Sequence, residues 1–388
     1  MVVICDISAW EYHRTPPMLR DAEVDVARVL SSLPETFPGP VRANAREADL
    51  LVRDRLFGEL KGLTLPVSVY VDHYSDPRHC SVTRPRALPR SLTRRSLIDL
   101  GGGLFVLSPE ATMCMQGHRL GRCGLAKIMF EACGIFSTIP DGAVLKLAIG
   151  DLVDRGLLAK EAFAGQGIYG FSDTSGTPYG EYAPSGARQE WVPCFDRRGK
   201  LTDMWKRPAL TSVEKIGEEL ETLGCPGKNS WKRKALAMVS DGAASPAEVY
   251  AHMMLASGVW NGGESWGGAF LNREIVFTPE AATLANATHC YADMLWPEKG
   301  SVLEVQGEAF HADEDGFHVV TGRTPALESM GYAVGEITVP QMRNLEVFDT
   351  LVETLARKLG MPIQHRSAAF LKRRDLLHEA LFGMPFEP

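Results

Sequence analysis

No apolar run in the chain approaches the roughly 18 residues that a membrane-spanning helix needs, so no span and no membrane partner are expected. The apolar N-terminus, MVVICDISAW, has no basic stretch ahead of it and holds Asp6. It is expected to form a buried strand, not an export signal, which points to the cytoplasm. The eight cysteines (Cys5, Cys80, Cys114, Cys123, Cys133, Cys194, Cys225 and Cys290) include no Cys-x-x-Cys pair, as expected of reduced thiols. Cys114, His118 and Cys123 lie in a segment of helical spacing with Met113, Leu120 and Leu125, which favours packing over zinc ligation. Gly101-Gly102-Gly103 is followed by neither Gly-Lys-Ser/Thr nor a G-x-G-x-x-G frame, so it reads as a turn and not a phosphate loop. Basic residues are scarce late in the chain: residues 241–388 hold 10 Lys/Arg against 20 Asp/Glu.

A hydrophobic share of 45% and a charged share of 23% describe an ordinary globular protein, and 388 residues imply two or three domains. The stretch richest in chemistry is Cys290 to His311, CYADMLWPEKGSVLEVQGEAFH, which reads as two strands joined by a turn at Pro297 to Gly300. With the turn centred between Glu298 and Lys299, Asp293 stands opposite Glu304 and Tyr291 opposite Gln306. Facing Cβ atoms are roughly 4.5 to 5.5 Å apart, where like charges repel. Either a divalent cation held by both carboxylates compensates, or one carboxylate sits at a frayed end in water.

The fold class expected is α/β. Residues 1–90 read as a small α/β unit, including a helix from Ala45 to Leu60, and 91–163 as a mainly helical unit opened by Ser108-Pro109-Glu110. Residues 164–206, rich in Gly, Ser and Pro, read as a loop or linker, and 207–244 as a helical connector with a break at Gly224 to Gly227. In residues 245–360, Ser245-Pro246-Ala247-Glu248 has the spacing of a capping box. Strands follow at Phe270 to Phe277, in the hairpin and at Tyr332 to Thr338, then a helix from Leu345 to Leu359 that stops at Gly360. Residues 361–388 read as a C-terminal tail.

The order from Ser245 to Gly360 resembles the restriction-endonuclease-like superfamily with the PD-(D/E)xK signature, and within it the very-short-patch-repair-like endonuclease branch of bacterial proteins. The matching positions are Glu248, Arg273, Asp293 before Trp296-Pro297-Glu298, Glu304-Val305-Gln306-Gly307, His311, Arg323 and Gly331-Tyr332. The chain departs from the signature at Gln306, where many members have lysine. The resemblance implies a mixed sheet flanked by helices and hydrolysis of DNA in repair or phage defence. It implies Mg²⁺ or Mn²⁺ held by Asp293, Glu304 and the Val305 carbonyl, with Glu248 completing the shell and Gln306 or His311 positioning the water. His311 could equally be a satisfied histidine beside the sheet. Glu308, Asp313 and Asp315, close by in sequence, are either further metal ligands or solvated, and solvation is expected.

DNA contacts are expected from Arg84, Arg86, Arg90, Arg94 and Arg95, with Arg78, and from Lys232, Arg233 and Lys234, with Lys228, unless these runs are only solvated faces. The first 240 residues, with RPALTS at Arg207 to Ser212, are similar in layout to proteins linked to abortive-infection antitoxins. The other classes kept open are a non-catalytic member of the fold, which Gln306 allows, binding nucleic acid, a protein partner or a second copy, and a regulator of the antitoxin kind.

Overall fold

Val2–Ile4 forms the first strand, β1, and is wholly buried. The fold is that of a computed structural model, which describes residues 1–22, 43–72, 82–140, 142–159, 191–196, 198–224, 230–307 and 314–383. The chain is α/β, with helices around three sheets. In the first sheet β1 pairs antiparallel with β2 (Val67–Val71) and β2 parallel with β3 (Thr83–Ala87). β4 (Leu97–Gly101) and β5 (Leu104–Leu107) complete it, in the order β3-β2-β1-β5-β4. The expected boundary at residue 90 is therefore corrected: the parallel β1–β5 pairing carries the first unit past it. Gly101, Gly102 and Gly103 make the β4–β5 turn with φ of 83°, 59° and 84°, a run of left-handed conformations that residues with a Cβ rarely adopt.

Ser108 caps the helix Pro109–Met115 as its sequence predicts, its hydroxyl accepting from the Ala111 N–H. The helix expected over 45–60 runs from Ala43 to Arg55. The described part of the expected linker contains two strands, β7 (Val192–Phe195) and β8 (Leu201–Lys206), which form the second sheet with β6 (Phe136–Thr138) in the order β6-β8-β7. Asp196 and Gly199 turn this hairpin, the Asp196 carboxylate accepting from the Arg198 and Lys200 N–H groups. The connector forms helices Val213–Thr222 and Trp231–Leu236.

The third sheet is mixed and has the order β12-β11-β10-β9, from β9 (Phe270–Val276), β10 (His289–Trp296), β11 (Ser301–Gln306) and β12 (Ala333–Thr338). β9, β10 and β11 run antiparallel, and β11 and β12 run parallel through the helix Glu314–Ser329. Met294 pairs with Leu303, Leu295 with Val302 and Trp296 with Ser301, the register that the turn centre predicts.

The expected tail contains the helix Ala368–Phe382. Its Arg374, fully buried, is bonded to Glu264 and Asp349, and Arg366 holds the same Glu264 at 2.5 Å. One hydrophobic core runs from Trp10 through Phe130 and Leu303 to Leu381, so the second and third sheets and the last helix share an interior, while the first sheet packs a cluster of its own around Ile4, Val69 and Val106.

Candidate active-site cleft

The hairpin brings Asp293 and Glu304 to one cleft, on neighbouring strands as their register predicts. The ladder is interrupted where they meet: Asp293 Oδ2 accepts from the Val305 N–H at 2.6 Å, so a side chain takes the place of a backbone acceptor. Glu304, 6% exposed, pairs through Oε2 with the Arg323 guanidinium at 3.1 Å, while its Oε1 is buried and has no hydrogen-bond partner among the described residues. Arg323, from the helix after β11, thus supplies part of the compensation that two close carboxylates require. Burial alone would lower the Arg323 pKa, but Glu304 and Asp293 outweigh it and raise it.

Glu248 enters from the first turn of the helix Pro246–Leu255. Ser245 caps this helix, its hydroxyl accepting from the Glu248 N–H, and also donates to Glu248 Oε1 at 2.9 Å. Glu248 Oε2 accepts from the Ala244 N–H at 2.7 Å and from Asn272 Nδ2 at 2.5 Å. The returning bond of the expected box therefore reaches one residue further back, to Ala244. Asn272 sits within β9 at φ 48° and also donates to the Gly242 carbonyl, at 2.9 Å. Asn tolerates this left-handed geometry better than most residues with a Cβ.

Electrostatics follow from burial. Burial first, and then the Asp293 charge, push Glu248 up to about 7 and Glu304 up to about 8. Burial also raises Asp293, against the pull of Arg323 and of the Val305 N–H. Lys206, at the end of β8, faces the same cleft and donates to the Ala244 carbonyl at 2.6 Å; its charge favours ionised Glu248 and Asp293. The cleft measures about 680 Å³ and is also lined by Gln306, Tyr250 and Arg343.

No family model, curated protein or solved structure matches the chain.

Among the described residues no group of three or more His, Cys, Asp or Glu is placed to hold a metal ion, and Glu248 has both oxygens engaged by Ala244, Ser245 and Asn272. The carboxylates left to meet a cation are Asp293 and Glu304, with the Val305 carbonyl the third donor that the resemblance implies. The unpartnered Glu304 Oε1 speaks for it, because a buried oxygen without a donor invites a positive ligand. Two carboxylates are what Mg²⁺ ordinarily takes from a protein.

His311, Glu308 and Asp313 lie outside the described residues, as do Arg78 and Lys228. Of the basic candidates, Arg84, Arg90, Arg94, Arg95 and Lys234 are exposed and make no ion pair with a described residue. Arg86 is paired with Asp6 at 3.0 Å and Arg233 with Glu221 at 3.4 Å, while Lys232 donates to the Cys114 carbonyl. Sequence reasoning missed Lys206 and Asn272. The Asp196 to Gly199 turn signal could have placed Lys206 on a strand; nothing in the sequence marks Asn272.

Proposed function

We propose that this cleft hydrolyses phosphodiester bonds in DNA with Mg²⁺ or Mn²⁺, as a cytoplasmic endonuclease of repair or phage defence. The observation that carries the reading is the convergence of Asp293 and Glu304 on one cleft, with one buried carboxylate oxygen left without a donor among the described residues. The order of elements also supports the resemblance to the PD-(D/E)xK nucleases, with one added helix, Pro279–Ala285, after the first strand: helix, strand, short helix, two further antiparallel strands, helix and a strand parallel to the third.

Asp293, Glu304 and the Val305 carbonyl would hold the metal, which when bound supplies charge neutralisation at the phosphate and acidifies a water. The remaining work falls to this chain's own groups. Gln306 carries no charge but has an amide that orients the attacking water. Lys206 and Arg343, which both line the cleft, offer positive charge to the phosphate, where exclusion of water strengthens their effect. Glu248, with its pKa near 7, is suited to accept the water's proton at neutral pH, and Asn272 and Ser245 hold it in place. As the new P–O bond forms, the leaving oxygen departs with the bonding pair and takes a proton from solvent.

Incubating plasmid and oligonucleotide DNA with Mg²⁺ or Mn²⁺ tests the reading. The native chain should cut and Asp293→Asn should not, and Mn²⁺ calorimetry should lose its binding heat in the same variant. A second reading has its own observation: Arg323 already places a positive charge on Glu304, as a retired site would. In that case the native protein shows neither cleavage nor binding heat, and the fold serves binding alone.

A further inference from the structure

The walls of the cleft come from distant parts of the chain. Lys206 and Met204 of β8 line it, together with Val339 and Arg343 of the short helix Val339–Arg343 and Glu304 of the third sheet. Glu248 and Glu304, each 6% exposed, lie at the bottom. A volume of about 680 Å³ falls within the range of roughly 300 to 1,000 Å³ typical of sites that close around one small ligand. That accommodates one or two nucleotides. A duplex is a thick rod whose major groove alone is about 12 Å wide, and bringing one of its phosphates to the bottom of the cleft would carry the complementary strand into the walls.

The chemistry of the lining points the same way. Met204, Pro246, Val339 and the Tyr250 ring stand beside the charged groups. A duplex hides its bases in the stack and would show this surface only sugar and phosphate. The bases of an unpaired strand are free to lie on it, and an aromatic ring next to positive charge is the usual platform for them. The Tyr250 ring packs against Phe382, with ring centroids 4.8 Å apart.

We propose that the cleft takes unpaired DNA, with a base seated on Tyr250 and its phosphate between Lys206 and Arg343. The chemistry of cutting rests on the nuclease reading above; the fit does not. The test uses one fluorescein-labelled oligodeoxynucleotide, alone and annealed to its complement. Anisotropy without metal measures binding, and gels with Mn²⁺ measure cleavage. The unpaired strand should bind roughly ten-fold tighter than the duplex, about what one stacked base contributes. Tyr250→Ala should erase that preference, and Tyr250→Phe, which keeps the ring, should retain it. Equal or tighter binding of the duplex overturns the proposal, as does a preference that survives Tyr250→Ala in a variant whose melting shows it folded. Preferential binding without cleavage leaves the proposal standing and removes the nuclease reading; equal cutting of both forms does the reverse.

Discussion

Between the Ala292–Arg273 and Met294–Leu271 pairs of the third sheet, Asp293 and Asn272 stand opposite each other, and neither behaves as an ordinary strand residue. Asp293 bonds the Val305 N–H, and Asn272 turns left-handed to bond Glu248. The local departure from strand geometry is thus tied to the placement of carboxylates. Replacing Asn272 separates its two contributions. Asn272→Ala should destabilise by about 2 kcal/mol or more, from the left-handed backbone and the lost bonds together, whereas Asn272→Gly keeps the backbone at ease and should cost less. Urea unfolding of both variants checks the order. A second prediction concerns Glu304, whose ordinary value of 4.5 is raised to about 8. Between these values the folded chain holds a proton that the unfolded chain has released. Without metal, stability should therefore fall as pH rises from about 4.5 to 8 and level off above. Glu248, pushed up to about 7, contributes a slope of the same sign. Glu304→Gln mimics the protonated group, so it should change little at pH 5 and stabilise at pH 9; a variant equally stable relative to native at both would remove burial of this charge as the cause.

At the scale of elements, the parts read correctly from sequence are those fixed by local chemistry. The caps at Ser108 and Ser245, the Pro297 to Gly300 turn and the hairpin register all follow from residues within a few positions of one another. The misses depend on distant partners. The strands β7 and β8 are short, lie beside a Gly- and Pro-rich stretch, and find their third strand, β6, some sixty residues earlier in the chain. The helix Ala368–Phe382 was missed because its buried stripe, Phe370, Arg374, Leu377 and Leu381, has an arginine where a leucine would reveal the pattern. That arginine is buried only because Glu264 and Asp349 receive it. Removing one member of a buried ion cluster leaves the others short of charge, at a cost of up to about 3 kcal/mol, lessened here because Arg366 still holds Glu264. Arg374→Met should lower the urea midpoint accordingly, and adding Glu264→Gln should recover part of the loss, since the buried carboxylates then exceed their cations by one charge less. If the double variant is no more stable than the single, the loss comes from packing against Phe348 and Phe370 and not from charge.

For the whole molecule, the cleft exists only because β8, from the first part of the chain, closes over the sheet of the last, within a core that both share. The acidic C-terminal part brings the carboxylates but little of the positive charge that a polyanion needs: 10 Lys/Arg against 20 Asp/Glu in residues 241–388. If the chain binds DNA as proposed, long-range attraction comes from elsewhere, and the exposed Arg90, Arg94 and Arg95 are candidates to give it, because no described acidic side chain pairs with them. Arg86, Lys232 and Arg233 already serve the fold, so they are poor choices for a test. Each phosphate contact on a single strand adds about 0.7 to the slope of log K against log salt, and about 0.9 on a duplex. Reversing Arg94 and Arg95 to Glu should therefore weaken binding of an unpaired strand and flatten its slope by roughly 1.4 if both touch phosphate. The melting temperature should hold, since both side chains stand in solvent. A slope unchanged by the double reversal would mean that the run is a solvated face and that Lys206, Arg323 and Arg343 in the cleft carry the phosphate contacts by themselves.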